Sequence, residues 1–178
     1  MKELLLCVAM LAVCAASAQK KITRNGMVKF EASMPAVEEV KAVTKTASGV
    51  LNTGNGEVAF LVLTKSFKFK VPLMEEHFNE NYMESDKYPK ATFKGIIRDF
   101  NMAKLTFSPV AYDAEGTLEI HGVVKKVKQK IMLSKDGDKV KAAFTISLKP
   151  QDYNIAIPSL VKSKISENVK TEGEFVLE

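Results

Sequence analysis

Val140-Lys141-Ala142-Ala143-Phe144-Thr145-Ile146-Ser147-Leu148 decides the reading of this chain. Every second residue is apolar, so Val140, Ala142, Phe144, Ile146 and Leu148 fall on one face of an extended strand, and Lys141, Thr145 and Ser147 fall on the other. A helix of the same sequence would scatter these residues around its axis. The stretch is therefore a strand with one face in a core and one in water.

The same alternation recurs outward from it. Leu118 and Ile120 point in against Thr117 and Glu119; Phe175 and Leu177 against Glu174, Val176 and Glu178; Val28, Phe30 and Ala32 against Lys29, Glu31 and Ser33. Further strands are expected near residues 37–51, 57–64, 66–69, 91–100, 104–112 and 123–133. Asn52-Thr53-Gly54-Asn55-Gly56 and Lys135-Asp136-Gly137-Asp138 carry the Gly and Asn that hairpin turns need, and Asp113-Ala114-Glu115-Gly116 is a softer turn signal. One stretch breaks the pattern. Residues 73–83, entered by Pro72, repeat Met74, Phe78 and Tyr82 every four positions and read as a helix. Residues 35–40 suggest one short turn, and 158–164 fit no single pattern. About eight antiparallel strands with one or two short helices predict an all-β fold, a closed barrel or a sandwich.

Residues 1–18 read as a secretory leader. Lys2 precedes an uncharged apolar run from Leu4 to Val13, too short to span a bilayer, and Ala16-Ser17-Ala18 forms a small-residue cleavage site before Gln19. Residues 19–178 are then one domain, long enough to bury about two thirds of its unfolded surface. A lipid-anchored leader would need a small residue before Cys14, where branched Val13 stands. Both cysteines, Cys7 and Cys14, lie in the leader, so the mature chain has no disulfide, thiol nucleophile or cysteine metal site. The net charge of +5 survives cleavage. In an exported chain it favours transient contact with an anionic membrane surface over nucleic acid.

Few residues suggest chemistry. The chain has two histidines, and His77 lacks zinc-helix spacing. No G-x-S-x-G and no glycine-rich phosphate loop is present, and Glu75, Glu76, Glu80 and Glu84 read as solvated helix positions. The expectation is a protein without catalytic residues, metal or cofactor. His121 shares the parity of Thr117 and Glu119 and is expected to face out, in a structural role before Gly122. Lys126, Lys128 and Lys130 share the outward face of one strand, which also discourages edge pairing. Tyr82, Tyr88 and Tyr153 fall at turns; Tyr82 and Phe78 could instead roof a barrel end.

Three segments resemble the YceI-like family. Residues 77–93 carry Asp86-Lys87-Tyr88-Pro89 followed by Ala91-Thr92-Phe93, similar to that family's helix ending, aspartate-aromatic-proline turn and a-x-F strand. Gly116-Thr117-Leu118-Glu119-Ile120-His121-Gly122-Val123-Val124-Lys125 resembles its G-x-L-x-I-x-G-x-x-K hairpin. Phe144-Thr145-Ile146-Ser147 with Gln151-Asp152-Tyr153-Asn154-Ile155 is similar to its strand running into a D-Y-x-I turn. The likeness spans about residues 60–178. Upstream, Gly49-Val50-Leu51-Asn52 is a thin echo of the family's G-x-F-x-x-F-x-G hairpin.

The resemblance implies a lipocalin-like, up-and-down antiparallel barrel in the periplasm or secreted space, holding an isoprenoid or quinone-like chain in an apolar tunnel for carriage or storage. The lining would then come from Phe60, Phe67, Phe69, Phe78, Tyr82, Phe93, Phe107, Leu118, Ile120, Phe144, Ile146 and Phe175. The same residues could instead fill an ordinary core, leaving a ligand-free barrel that serves as a protein-interaction module. Small residues in line, such as Ala91, Gly95, Ala142 and Gly173, would favour a tunnel; phenylalanines meeting in the middle would close it. The oligomeric state stays open, a dimer being one option.

Overall fold

A computed structural model describes residues 20–34 and 39–178. The leader with its two cysteines lies outside the described residues, as does most of the short turn expected at 35–40 and the start of the strand expected at 37–51. Nine strands are described: β1 (Lys20–Ser33), β2 (Lys41–Asn52), β3 (Glu57–Leu63), β4 (Lys68–Phe69), β5 (Lys90–Ile97), β6 (Val110–Ile120), β7 (Val123–Asp136), β8 (Lys139–Leu148) and β9 (Ile165–Leu177). A short helix, α1 (Pro72–His77), lies between β4 and β5 and runs on into a wide turn over Phe78–Tyr82.

All pairings are antiparallel, and eight strands close into a barrel in the order β1-β2-β3-β5-β6-β7-β8-β9-β1. Every strand of the ring pairs on both sides over part of its length, which limits exposed edge, although the β7–β8 ladder stops at Ile131↔Phe144. The two-residue β4 stands outside the ring and pairs Ala42 and Val43 of β2, ahead of the part of β2 that β3 occupies. The barrel has two distinct ends. The lower end holds the 52–56 and 136–139 hairpin turns and the end of β9; the upper end holds α1, the β6–β7 turn and the long 149–164 connection.

The expected hairpins form. Asn52 Oδ1 accepts from Gly54 N and its carbonyl from Gly56 N, and Gly137 takes φ +59°. The third turn does not. Asp113-Ala114-Glu115-Gly116 lies inside β6, paired on one side with Gly116↔Val127 through Asp113↔Lys130 and on the other with Gly95↔Gly116 through Ile97↔Ala114. Ladder bonds on both flanks, with Lys130 on Asp113 and Lys128 and Arg98 on Glu115, outweigh a weak local turn preference. The strand expected at 104–112 is correspondingly absent before Val110; Met102–Lys104 is instead a 3-10 turn capped by Asn101 Oδ1 accepting from Ala103 N.

Below the middle, the barrel is solid. Leu51, Leu133, Val140 and Leu177 are 0% exposed, and Ile97 and Leu105 are buried beside them. Along β8 and β9 the inward residues then open with height. Val140 and Ala142 are buried while Phe144, Ile146 and Leu148 are partly exposed; Leu177, Phe175 and Gly173 are buried while Thr171 and Val169 are partly exposed. Inward residues gain exposure only when they face a space.

Candidate ligand-binding cavity

Four phenylalanines from four strands divide the barrel. Phe60 (β3) lies 4.3 Å from Phe175 (β9), 5.8 Å from Phe144 (β8) and 6.3 Å from Phe93 (β5), ring centre to ring centre, and Phe144 lies 6.2 Å from Phe175. These are contact distances for aromatic pairs, so the rings form a plate across the lumen. Glycines provide the room. A Cβ on Gly173 would come within 2.4 Å of Phe144, one on Gly26 within 2.4 Å of Phe175, and one on Gly95 within 2.7 Å of Phe93; Gly49 lies under Phe175 and Phe60. The small residues at 95 and 173 are therefore seats for rings and do not mark an open tunnel.

Above the plate is a cavity of about 540 Å³, within the ~300–1,000 Å³ range of small-molecule sites. Eleven of the twelve residues expected at a tunnel line it: Phe60, Phe67, Phe69, Phe78, Tyr82, Phe93, Leu118, Ile120, Phe144, Ile146 and Phe175. Phe107 does not. It is 76% exposed in the connection between β5 and β6, with Lys141 Nζ 5.7 Å from its ring centre. Its inward parity depended on a strand at 104–112, and no strand runs through it.

Other lining residues were not among those expected at a tunnel. Phe30 and Val28 of β1, Val127 of β7, Val169 of β9, Leu73 and Met74 of α1, and Ile155, Ile157 and Val161 of the 149–164 connection all face the cavity. The β1 pair was legible as an inward face but not as a wall. The last group belongs to an irregular segment, to which no periodicity assigns a side.

The roof is aromatic and tied down. Phe78 stacks 5.4 Å from Phe30 and lies 5.8 Å from Phe67 and 5.1 Å from Phe69. Glu75 of α1 accepts from Phe69 N (3.2 Å) and pairs with Lys68 of β4. The Lys68 ammonium, with the Phe69 N–H, holds the Glu75 carboxyl below the usual carboxylate range against the cost of burial.

A second tie corrects the reading of His121, which is 8% exposed and does not face out. His121 and Gly122 make a two-residue turn with φ +51° and +73°, and that twist takes the side chain off the strand's parity. Its Nδ1 lies 3.1 Å from the Tyr153 carbonyl and its Nε2 3.0 Å from the Glu84 carboxylate, while Tyr88 packs on its face at 4.3 Å. The cluster joins the end of the roof, the β6–β7 turn and the 149–164 connection. Tyr153 lines the cavity, and burial, with Asp152 beside it, pushes its phenol up.

Polar lining groups are few. Gln129 of β7 donates to the Thr145 carbonyl of β8 (2.6 Å), bridging the strands just above Ile131↔Phe144, where their backbone ladder ends. His77, Lys149 and Lys164 lie around the upper margin. Lys126, Lys128 and Lys130 are exposed on the outer wall, the last two paired with Glu115 and Asp113. Among the described residues no group of three or more His, Cys, Asp or Glu is placed to hold a metal ion, and no helix is long and apolar enough to cross a membrane. Such a cavity offers an apolar chain removal from water, worth about 0.8 kcal/mol per buried methylene.

The YceI-like domain family model matches residues 20–177, so the likeness also covers β1 and β2. Solved structures with the same fold include a polyisoprenoid-binding domain from Saccharophagus degradans (TM-score 0.77, 17% identity, 90% of this chain and 98% of that one). BcnA from Burkholderia cenocepacia (TM-score 0.68, 16% identity, 89% and 96%) and the YceI protein of Campylobacter jejuni (TM-score 0.62, 17% identity, 82% and 88%) share it too. No curated protein gives a significant match.

Proposed function

The chain belongs to the YceI-like domain family, and from that premise we propose that it is an exported carrier or store that holds an isoprenoid or quinone-like chain in the upper half of its barrel. The carrying observation is the cavity itself: about 540 Å³, walled by apolar side chains and covered by an aromatic roof. A barrel serving only as an interaction module has no use for inward residues that stay partly exposed. The polyisoprenoid-binding relative supports the ligand class. The role is binding and not catalysis, a reading that the family and its polyisoprenoid-binding relative support. Export to the periplasm or beyond rests on the leader-like residues 1–18. The +5 charge, with Leu73 and Leu160 exposed at the upper end, supports loading at an anionic membrane surface.

The test is uptake of a polyprenol or quinone by delipidated protein, followed by displacement of an environment-sensitive fluorescent probe. Stoichiometric displacement is expected, and it should be lost when Phe93 and Phe144 are both enlarged to tryptophan. Probe binding that resists every apolar chain, or that survives the double substitution unchanged, contradicts the reading.

A further inference from the structure

We infer that the four-phenylalanine plate is a length gauge, so that the cavity accepts the end of an isoprenoid chain only to a fixed depth and stops discriminating among chains longer than that. The inference rests on the carrier reading and adds a limit to it.

Three observations carry it. The plate spans the lumen, with Phe60 in contact with Phe93, Phe144 and Phe175. Nothing below it can yield: Leu51, Leu133, Val140 and Leu177 are fully buried, and a close-packed core does not open for a chain. The rings themselves cannot sink, because each already lies against a glycine backbone. Only upward, into the cavity, is there space for them to move.

The usable depth is short. From Phe144 to Leu148 β8 climbs four residues, about 13 Å along the strand at ~3.3 Å per residue. Taking a chain carbon to need about the ~30 Å³ share of a liquid water, the 540 Å³ cavity holds on the order of 20 carbons. Affinity should therefore rise steeply along the series geraniol, farnesol, geranylgeraniol, by about tenfold or more per added isoprene unit. Longer polyprenols should add nothing, their surplus staying outside the plate.

The gauge can be moved both ways. Phe144→Ala removes a ring from the plate and should shift the plateau to a longer alcohol. Gly173→Ala sets a Cβ 2.4 Å from the Phe144 ring tip, pushes the ring up and should shift the plateau to a shorter one. Phe144→Leu is the milder variant should the alanine fold poorly, and circular dichroism confirms the fold of each. Dissociation constants for the alcohol series would be measured by probe displacement on the mature chain and on these variants. A plateau that moves to longer alcohols in the Phe144 variant and to shorter ones in Gly173→Ala establishes the gauge. Affinity that keeps rising through the longest polyprenols, or a plateau unmoved by either variant, overturns the gauge and leaves the carrier reading standing. Failure of the unsubstituted protein to bind any length overturns both.

Discussion

The two halves of this barrel use the same strands to opposite ends. β8 carries Val140 and Ala142 into a fully packed lower half, and Phe144, Ile146 and Leu148 into the cavity wall above. β9 does the same with Leu177 and Phe175 against Thr171 and Val169. No change in alternation or residue type marks the crossing, although the β7–β8 ladder stops there, at Ile131↔Phe144. What differs is what the side chains meet across the lumen: other aliphatic groups below, and an open space beneath a latched roof above. A hollow site in such a fold is a property of cross-barrel distances, and no local motif records it.

The largest expected effects separate the halves by stability. Leu133→Ala, at a fully buried lower site, should cost about 2–5 kcal/mol. Ile146→Ala, in the upper wall, should cost well under half as much in the ligand-free protein, since its side chain already borders a void. Urea denaturation of both variants checks this; equal losses would mean that the upper half is packed as well. Ligand should then affect one half only. A bound chain at a hundred times its dissociation constant adds about 2.7 kcal/mol. Hydrogen exchange should slow in the roof and upper strands and stay unchanged around Leu51 and Leu177.

A smaller effect tests the roof. Glu75→Ala removes the carboxylate that accepts from Phe69 N and pairs with Lys68, at a stability cost of about 1 kcal/mol. Lipid should then leave several-fold faster with little change in the on-rate, as stopped-flow dilution would read.

The smallest effect lies on the outer wall, at the β1–β9 seam. Lys170 and Lys29 beside Glu172 hold its carboxyl down at about 2. Because this group is depressed in the folded state, its contribution is fully present above the ordinary carboxylate range and is lost as pH falls from about 4.5 towards about 2. Melting temperatures of the parent and Glu172→Gln should differ slightly at neutral pH and converge over that window. A gap that persists at the acid end would place the effect elsewhere.

Much of the fold was legible because alternation is a short-range signal. The faces of β8, β9 and the end of β1 could be read from single stretches, as could the hairpins at Asn52 and Gly137. Reading failed where long-range pairing overruled local chemistry, as at Asp113–Gly116, and where a turn twisted a residue off its strand's parity, as at His121. Most lining residues were legible as apolar and inward. Whether they enclosed a space was not, because Phe144 reaching Phe60 across the lumen, seated on Gly173, joins residues far apart in the chain.

The most direct test of the hollow upper half is native mass spectrometry of the mature protein purified from its own host, followed by organic extraction. The account predicts a stoichiometric apolar adduct that extraction removes, and that is missing from protein carrying tryptophan at 93 and 144. A clean ligand-free mass that added polyprenols and quinones leave unchanged would contradict it and favour the ligand-free interaction module.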